Sequence, residues 1–105
     1  MHSNWKELIL RSAETDSVML NRWGKPAFRV LATPYSEARE RDERVAFPAL
    51  DQLLKVYFEG DLDAGFAFGG QVAGRIRSIE PVATIIDRTV AEFHEVMIEV
   101  ARRWA

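Results

Sequence analysis

The sequence predicts an α+β fold, mostly helical, on three observations. Several stretches space apolar residues at the period of amphipathic helices. Two short runs of strand-forming residues flank a segment broken by Gly24 and Pro26. The 105 residues are the length of one domain. No internal repeat, low-complexity tract or composition break divides the chain, so residues 1–105 read as one segment.

The elements follow in order. Asn4 and Glu7 have the spacing of a capping box, and Trp5, Leu8, Ile9 and Ser12 then share one face of a first helix. "SVML" (17–20) and "AFRVL" (27–31) read as two strands separated by "NRWGKP". "SEARERDERV" (36–45) is charged almost throughout and reads as a solvated helix or loop. Pro48 suits a first helical turn, and Leu50, Leu53, Leu54, Tyr57 and Phe58 form one apolar face that stops at Gly60. Ser78 can cap a final helix with Pro81 in its first turn. One side of that helix carries Val82, Ile85, Ile86, Thr89, Val90, Phe93, Met97, Val100, Ala101 and Trp104. It would run roughly 35 Å at 1.5 Å per residue, more than the short elements before it can cover in full.

Bulk composition removes several function classes. Hydrophobic residues at 48% and charged residues at 29% belong to a globular chain. A net charge of -2 with both signs interspersed offers no field for nucleic acid or an anionic membrane surface. With no cysteine there is neither a disulfide framework nor a thiolate metal site. The apolar run of "MHSNWKELIL" is interrupted by Lys6 and Glu7 and suits neither a signal peptide nor a membrane span. Cytoplasmic localisation is the expectation.

The chemistry-bearing candidates are few. In "FAFGGQVAGRI" (66–76), Gly69 and Gly74 have the spacing of a phosphate loop, but Arg75 and Ile76 stand where Lys and Ser/Thr would hold phosphate and magnesium. The stretch also lacks a dinucleotide fingerprint, and its glycines could equally serve close packing. "DLDAG" (61–65) begins like a calcium loop, yet its glycine is one place early and Val72 stands where a bidentate Glu belongs. His94 has no second ligand at metal spacing and reads as a boundary residue, and His2 as part of a frayed terminus. No serine is arranged with a base as a nucleophile.

"GGQVAGRIRSIEPVATIIDRTVAEF" resembles the C-terminal end of the nitronate monooxygenase (2-nitropropane dioxygenase) family. "HSNWKELILRSAETDSVML", "KPAFRVLAT" and "YFEGDLDAGFAFGGQVAGRI" extend the resemblance over nearly the whole chain. It implies an FMN-dependent (β/α)8-barrel oxidoreductase that oxidises alkyl nitronates with O2. A barrel of this kind takes about 250 residues, so the chain corresponds to the small domain and closing helix, with the barrel itself absent. The family's catalytic histidine and FMN-phosphate segment lie upstream of the matched stretch, and neither His2 nor His94 takes their place. By the same resemblance Gly69, Gly70, Gln71 and Gly74 belong to a loop on the flavin cavity, and the last helix packs back on the barrel.

The expectation is therefore a piece of such a flavoenzyme, from a truncated or split gene, inactive alone and without retained FMN. Its partner would be the missing barrel portion or a second copy. The alternative is a stand-alone α+β interaction module or homodimer without catalysis.

Overall fold

The computed structural model describes Met1–Ala105. Helix α1 (Ser3–Arg11) leads into an antiparallel hairpin of β1 (Ser17–Leu20) and β2 (Phe28–Leu31). A short α2 (Pro34–Glu37) and α3 (Leu50–Leu54) follow, and α3 continues as a π-helical turn over Lys55–Glu59. A 3-10 helix (Gln71–Arg75) precedes the long α4 (Val82–Trp104). The α+β, mostly helical expectation holds. No helix is long and apolar enough to cross a membrane.

The N-terminal helix forms as expected but is capped differently. His2, not Asn4, is the N-cap, its Nδ1 accepting the Asn4 N–H at 3.1 Å. The Asn4 amide instead donates to the Gly60 carbonyl at 2.9 Å, a partner 56 residues away that local spacing does not reveal. His2 also donates its backbone N–H to the Tyr57 carbonyl at 2.6 Å, so the terminus is docked rather than frayed. Leu8 and Ser12 are buried on the predicted face, with Trp5 and Ile9 half-buried beside them.

β1 has the predicted bounds and β2 begins one residue later than expected. Ser17 pairs with Leu31 and Leu20 with Phe28. The pairing puts alternate side chains on opposite sides, and each side builds a core. Val18, Leu20, Phe28 and Val30 pack with Val45 and Phe66 on one side. On the other, Leu31 packs with Leu8, Val56, Ala67 and Ala73. Segment 66–68 runs beside β2 as a partial third strand: Leu31 donates to the Ala67 carbonyl at 2.7 Å, and Val30 bridges Phe68.

The charged run is solvated along its middle but anchored at both ends. Ser36 is fully buried and completes a reciprocal capping pair with Thr33, while its hydroxyl donates to the Leu31 carbonyl at 3.0 Å. Val45 is held by the Asn21 amide, which donates to its carbonyl and accepts its N–H, both at 2.6 Å.

Two helical expectations require correction. Pro48 lies before the N-cap Ala49, outside α3. The apolar face of this helix is also rotated from the predicted one: Leu50, Leu54 and Phe58 are exposed, Leu53 and Tyr57 are half-buried, and Val56 is fully buried. The π turn over Lys55–Glu59 fits an extra residue into the helix and shifts the side chains after it, Phe58 among them, whereas Leu50 and Leu54 precede it and are exposed already in α3. Gly60 ends the element at φ 75°, as a left-handed glycine cap should.

The final helix begins later than a Ser78 cap would place it: Pro81, expected in the first turn, stands at the N-cap with no side-chain bond, and the helix runs from Val82 to Trp104. The expectation that the preceding elements cover part of its apolar face is overturned, since α4 has no buried residue. It projects from the body, which gives a radius of gyration of 17.5 Å against about 13 Å for a compact chain of this length.

Candidate functional site

Residues 66–76 are clamped at both ends and open in the middle. On the upstream side the Tyr57 hydroxyl accepts the Phe68 N–H at 2.8 Å. Gly69 then lies against Leu31, where a Cβ would come within 2.6 Å of Cδ2. Downstream, Ala73 belongs to the core and Gly74 is pressed on the backbone of Ala13 and Glu14. The adjoining Arg75 pairs with the Glu14 carboxylate at 3.1 Å. Between the clamps, Gly70, Gln71 and Val72 form an exposed crest, and a Cβ at position 70 would meet nothing within 4 Å.

The four residues singled out from the sequence therefore divide into two pairs. Gly69 and Gly74 allow close backbone packing, whereas Gly70 and Gln71 present free surface. The crest bears no charge, and Gln71 supplies its side-chain donor and acceptor.

The other candidates lie elsewhere. His94 is exposed on α4 with its ring 5.7 Å from that of Phe93, and His2 is engaged as a cap. The Asp61 carboxylate accepts the Asp63 N–H at 3.1 Å, stabilising a turn. No group of three or more His, Asp or Glu residues could hold a metal.

Beyond the 3-10 helix, Arg75, Arg77, Ser78, Glu80 and Arg88 line a shallow hollow of about 500 Å³. Its cations are occupied: Arg75 by Glu14, Arg88 by Glu80 at 2.6 and 2.8 Å, and Arg77 by the Gly74 carbonyl at 3.0 Å. Arg88 holds the Glu80 carboxyl below the usual glutamate range.

Sequence reasoning missed Tyr57 as the upstream anchor, because helical spacing marked it only as a core residue. Burial raises its phenol above the usual tyrosine value, against the lowering effect of the Phe68 N–H.

A flavin has a flat ring system and, as FMN, a charged phosphate. The open Gly70 and the exposed Gln71 amide fit the ring, since backbone can approach it and the amide can bond its polar edge. The crest is uncharged and contains no helix long enough to cradle a phosphate. The residues present suit one wall of a flavin cavity.

No protein-family model matches the chain, and no curated protein matches it. Solved structures do. FabK from Thermotoga maritima, a TIM-barrel flavoenzyme, is 31% identical with a TM-score of 0.76, and the match covers 99% of this chain and 35% of that one. A point mutant of the same FabK is 32% identical with a TM-score of 0.76, over 99% of this chain and 32% of that one. The chain thus spans about a third of the length of the FabK chains it resembles, and it matches a fragment of a flavin-dependent TIM-barrel enzyme.

Proposed function

We propose that this chain is the non-barrel third of a flavin-dependent oxidoreductase, with the Gly70–Gln71 crest forming one wall of the flavin cavity and α4 returning its apolar face to the barrel. The observation that carries this reading is the 99% coverage of the chain at 31–32% identity by one segment of a flavoenzyme. The crest supports it: the part of the loop released from internal packing is the part that a flat cofactor needs bare.

Gln71 binds and orients in this reading, because an amide cannot abstract a proton. Gly70 admits the ring, while Gly69 and Gly74 fix the loop's height above the body. Bound FMN would supply the redox chemistry. The substrate we favour is an alkyl nitronate, oxidised with O2, on the strength of "GGQVAGRI" and the "PVATII" helix start. A second reading, favoured by the identity to FabK, an enoyl-ACP reductase, is reduction of an enoyl group.

The test is a chimera in which this chain replaces the matched third of Thermotoga maritima FabK. It should retain flavin, and Gln71→Ala should lower flavin affinity or turnover more than His94→Ala does. A lost hydrogen bond in a desolvated cavity costs about 1 to 3 kcal/mol, whereas His94 stands on exposed helix. A folded, yellow chimera in which the two variants lose equally would refute the cavity-wall assignment. Assays with a nitronate under air and with an enoyl substrate separate the two chemistries.

A further inference from the structure

We infer that the Tyr57 hydroxyl is the positioning group for the Gly70–Gln71 crest; this rests on the cavity-wall reading above. The crest's other holds are packing and backbone: Gly69 lies on Leu31, and the Gly70 carbonyl accepts the Ala73 N–H at 3.1 Å. Gly69 and Gly70 have no side chains to lock, and Gln71 and Val72 are exposed. The bond from Phe68 N–H to the Tyr57 hydroxyl, at 2.8 Å, is the one side-chain hydrogen bond made to the backbone of residues 66–72. It falls two residues before Gly70. The hairpin holds segment 66–68 along one edge through Leu31 and Val30, and Tyr57 holds the Phe68 N–H.

Tyr57 is itself fixed from two directions. Its carbonyl accepts the His2 N–H at 2.6 Å, and its ring meets Trp5 edge-on at 5.3 Å between centroids. It occupies the middle of the π turn over Lys55–Glu59 and packs against the core that holds Leu8, Val56 and Ala67. Such turns are rare and recur at functional sites. Here the residue at the centre of the turn is the one that grips the loop.

Tyr57→Phe removes the hydroxyl and keeps the ring. In the 105-residue chain, amide exchange followed by NMR should show Phe68 exchanging roughly tenfold faster, as expected for loss of one hydrogen bond. The Gly69–Val72 resonances should move, while exchange at Val18, Leu20 and Val30 stays as in the parent. Unchanged Phe68 exchange, or a uniform rise across those core amides, overturns the proposal.

Should the variant fail to fold, fluorotyrosine incorporation keeps the hydroxyl and weakens it as an acceptor. The chain has two tyrosines, so Tyr35 serves as the internal control. The Phe68 amide proton must then shift upfield; no shift there also overturns the proposal. These measurements need no flavin. In the FabK chimera, Tyr57→Phe should alter the absorption envelope of the bound flavin, as Gly70→Val should. A flavin indifferent to both, with Phe68 exchange altered as expected, sinks the cavity-wall reading and with it the role of Tyr57 toward the cofactor.

Discussion

Gly74 rests directly on the peptide between Ala13 and Glu14: a Cβ at position 74 would come within 2.7 Å of the Glu14 Cα and closer still to the Glu14 nitrogen. Backbone cannot rotate away as a side chain can, so the contact ties the 3-10 helix to the end of α1 only while residue 74 is glycine. Gly74→Ala should destabilise the chain by about 1–3 kcal/mol, the usual cost of overpacking a filled site. Gly70→Ala, with open space around its Cβ, should change stability by less than about 0.5 kcal/mol. Urea denaturation midpoints of the two variants measure the difference, and equal shifts would contradict the division of the loop into clamp and crest.

That division was only half legible in the sequence. The hairpin could be read because "SVML" and "FRVL" are rich in strand-forming residues on either side of a turn-rich break, and such a signal is local. The cap of α1 was misread because the Gly60 carbonyl, brought near by the fold, takes the Asn4 amide. The placement of Phe58 differs from an α-helical face because the π turn after α3 has no periodic signature in a sequence. Gly69, Gly70 and Gly74 look alike as letters, and only what stands opposite each one separates packing from free surface. The period of α4 marks its apolar stripe though not its start, which Pro81 sets, and a stripe says that a face needs cover without saying what covers it.

Tyr57 should reveal itself at high pH. Its folded-state phenol is raised above the usual value, mainly by burial, so the unfolded chain releases that proton first. The associated stability is intact below about pH 10, the ordinary phenol value, and is lost as pH rises through the higher folded value. Tyr57→Phe loses about 1 kcal/mol at neutral pH from the missing hydrogen bond. It also lacks the alkaline loss, so the gap between the variant and the parent should narrow above about pH 10. Denaturation curves at pH 8, 10 and 11 check this; a constant gap would place the phenol in solvent.

The Glu80–Arg88 pair gives the opposite pH dependence at the start of α4. The carboxyl is lowered chiefly by its hydrogen bonds to the guanidinium, so its contribution is present above the usual glutamate value of about 4.3. It is lost as pH falls through the depressed folded value. The carboxyl carbon of Glu80, followed by NMR, should titrate below the usual glutamate value of about 4.3 and move back toward it in Arg88→Gln. Because Arg88 is exposed and Glu80 only half-buried, added salt should shrink the shift. A midpoint unmoved by Arg88→Gln would mean that the two side chains do not pair in solution.

The isolated chain should not retain FMN. Flavin held with useful affinity needs its phosphate neutralised, and the crest offers one bare backbone position and one neutral amide. The visible spectrum of the purified protein, with a fluorescence titration, measures this directly. Stoichiometric flavin at micromolar affinity would make the loop a complete site and remove the need for a barrel beside it.

In isolation, α4 should bring two copies together. Val82 is 71% exposed, Phe93 60% and Trp104 85%, with Ile86, Val90, Met97 and Val100 also exposed along the same stripe. Each such side chain gains roughly 1.5 to 3 kcal/mol on full burial. A continuous apolar face of this kind is larger than monomers leave in water, and a two-fold pairing of the same face is the simplest way to cover it. Sedimentation equilibrium should therefore give a mass that rises with concentration from 12.0 kDa toward twice that value. Phe93→Lys, in the middle of the stripe, should return the chain to monomer. Ile98→Lys is the control: Ile98 is 70% exposed but stands off the stripe, so the dimer should survive its replacement. If both variants dissociate the protein equally, association runs through some surface other than the apolar face. A parent chain that stays monomeric at high concentration would show that α4 tolerates solvent, and the argument that a barrel must cover it would lose its physical basis.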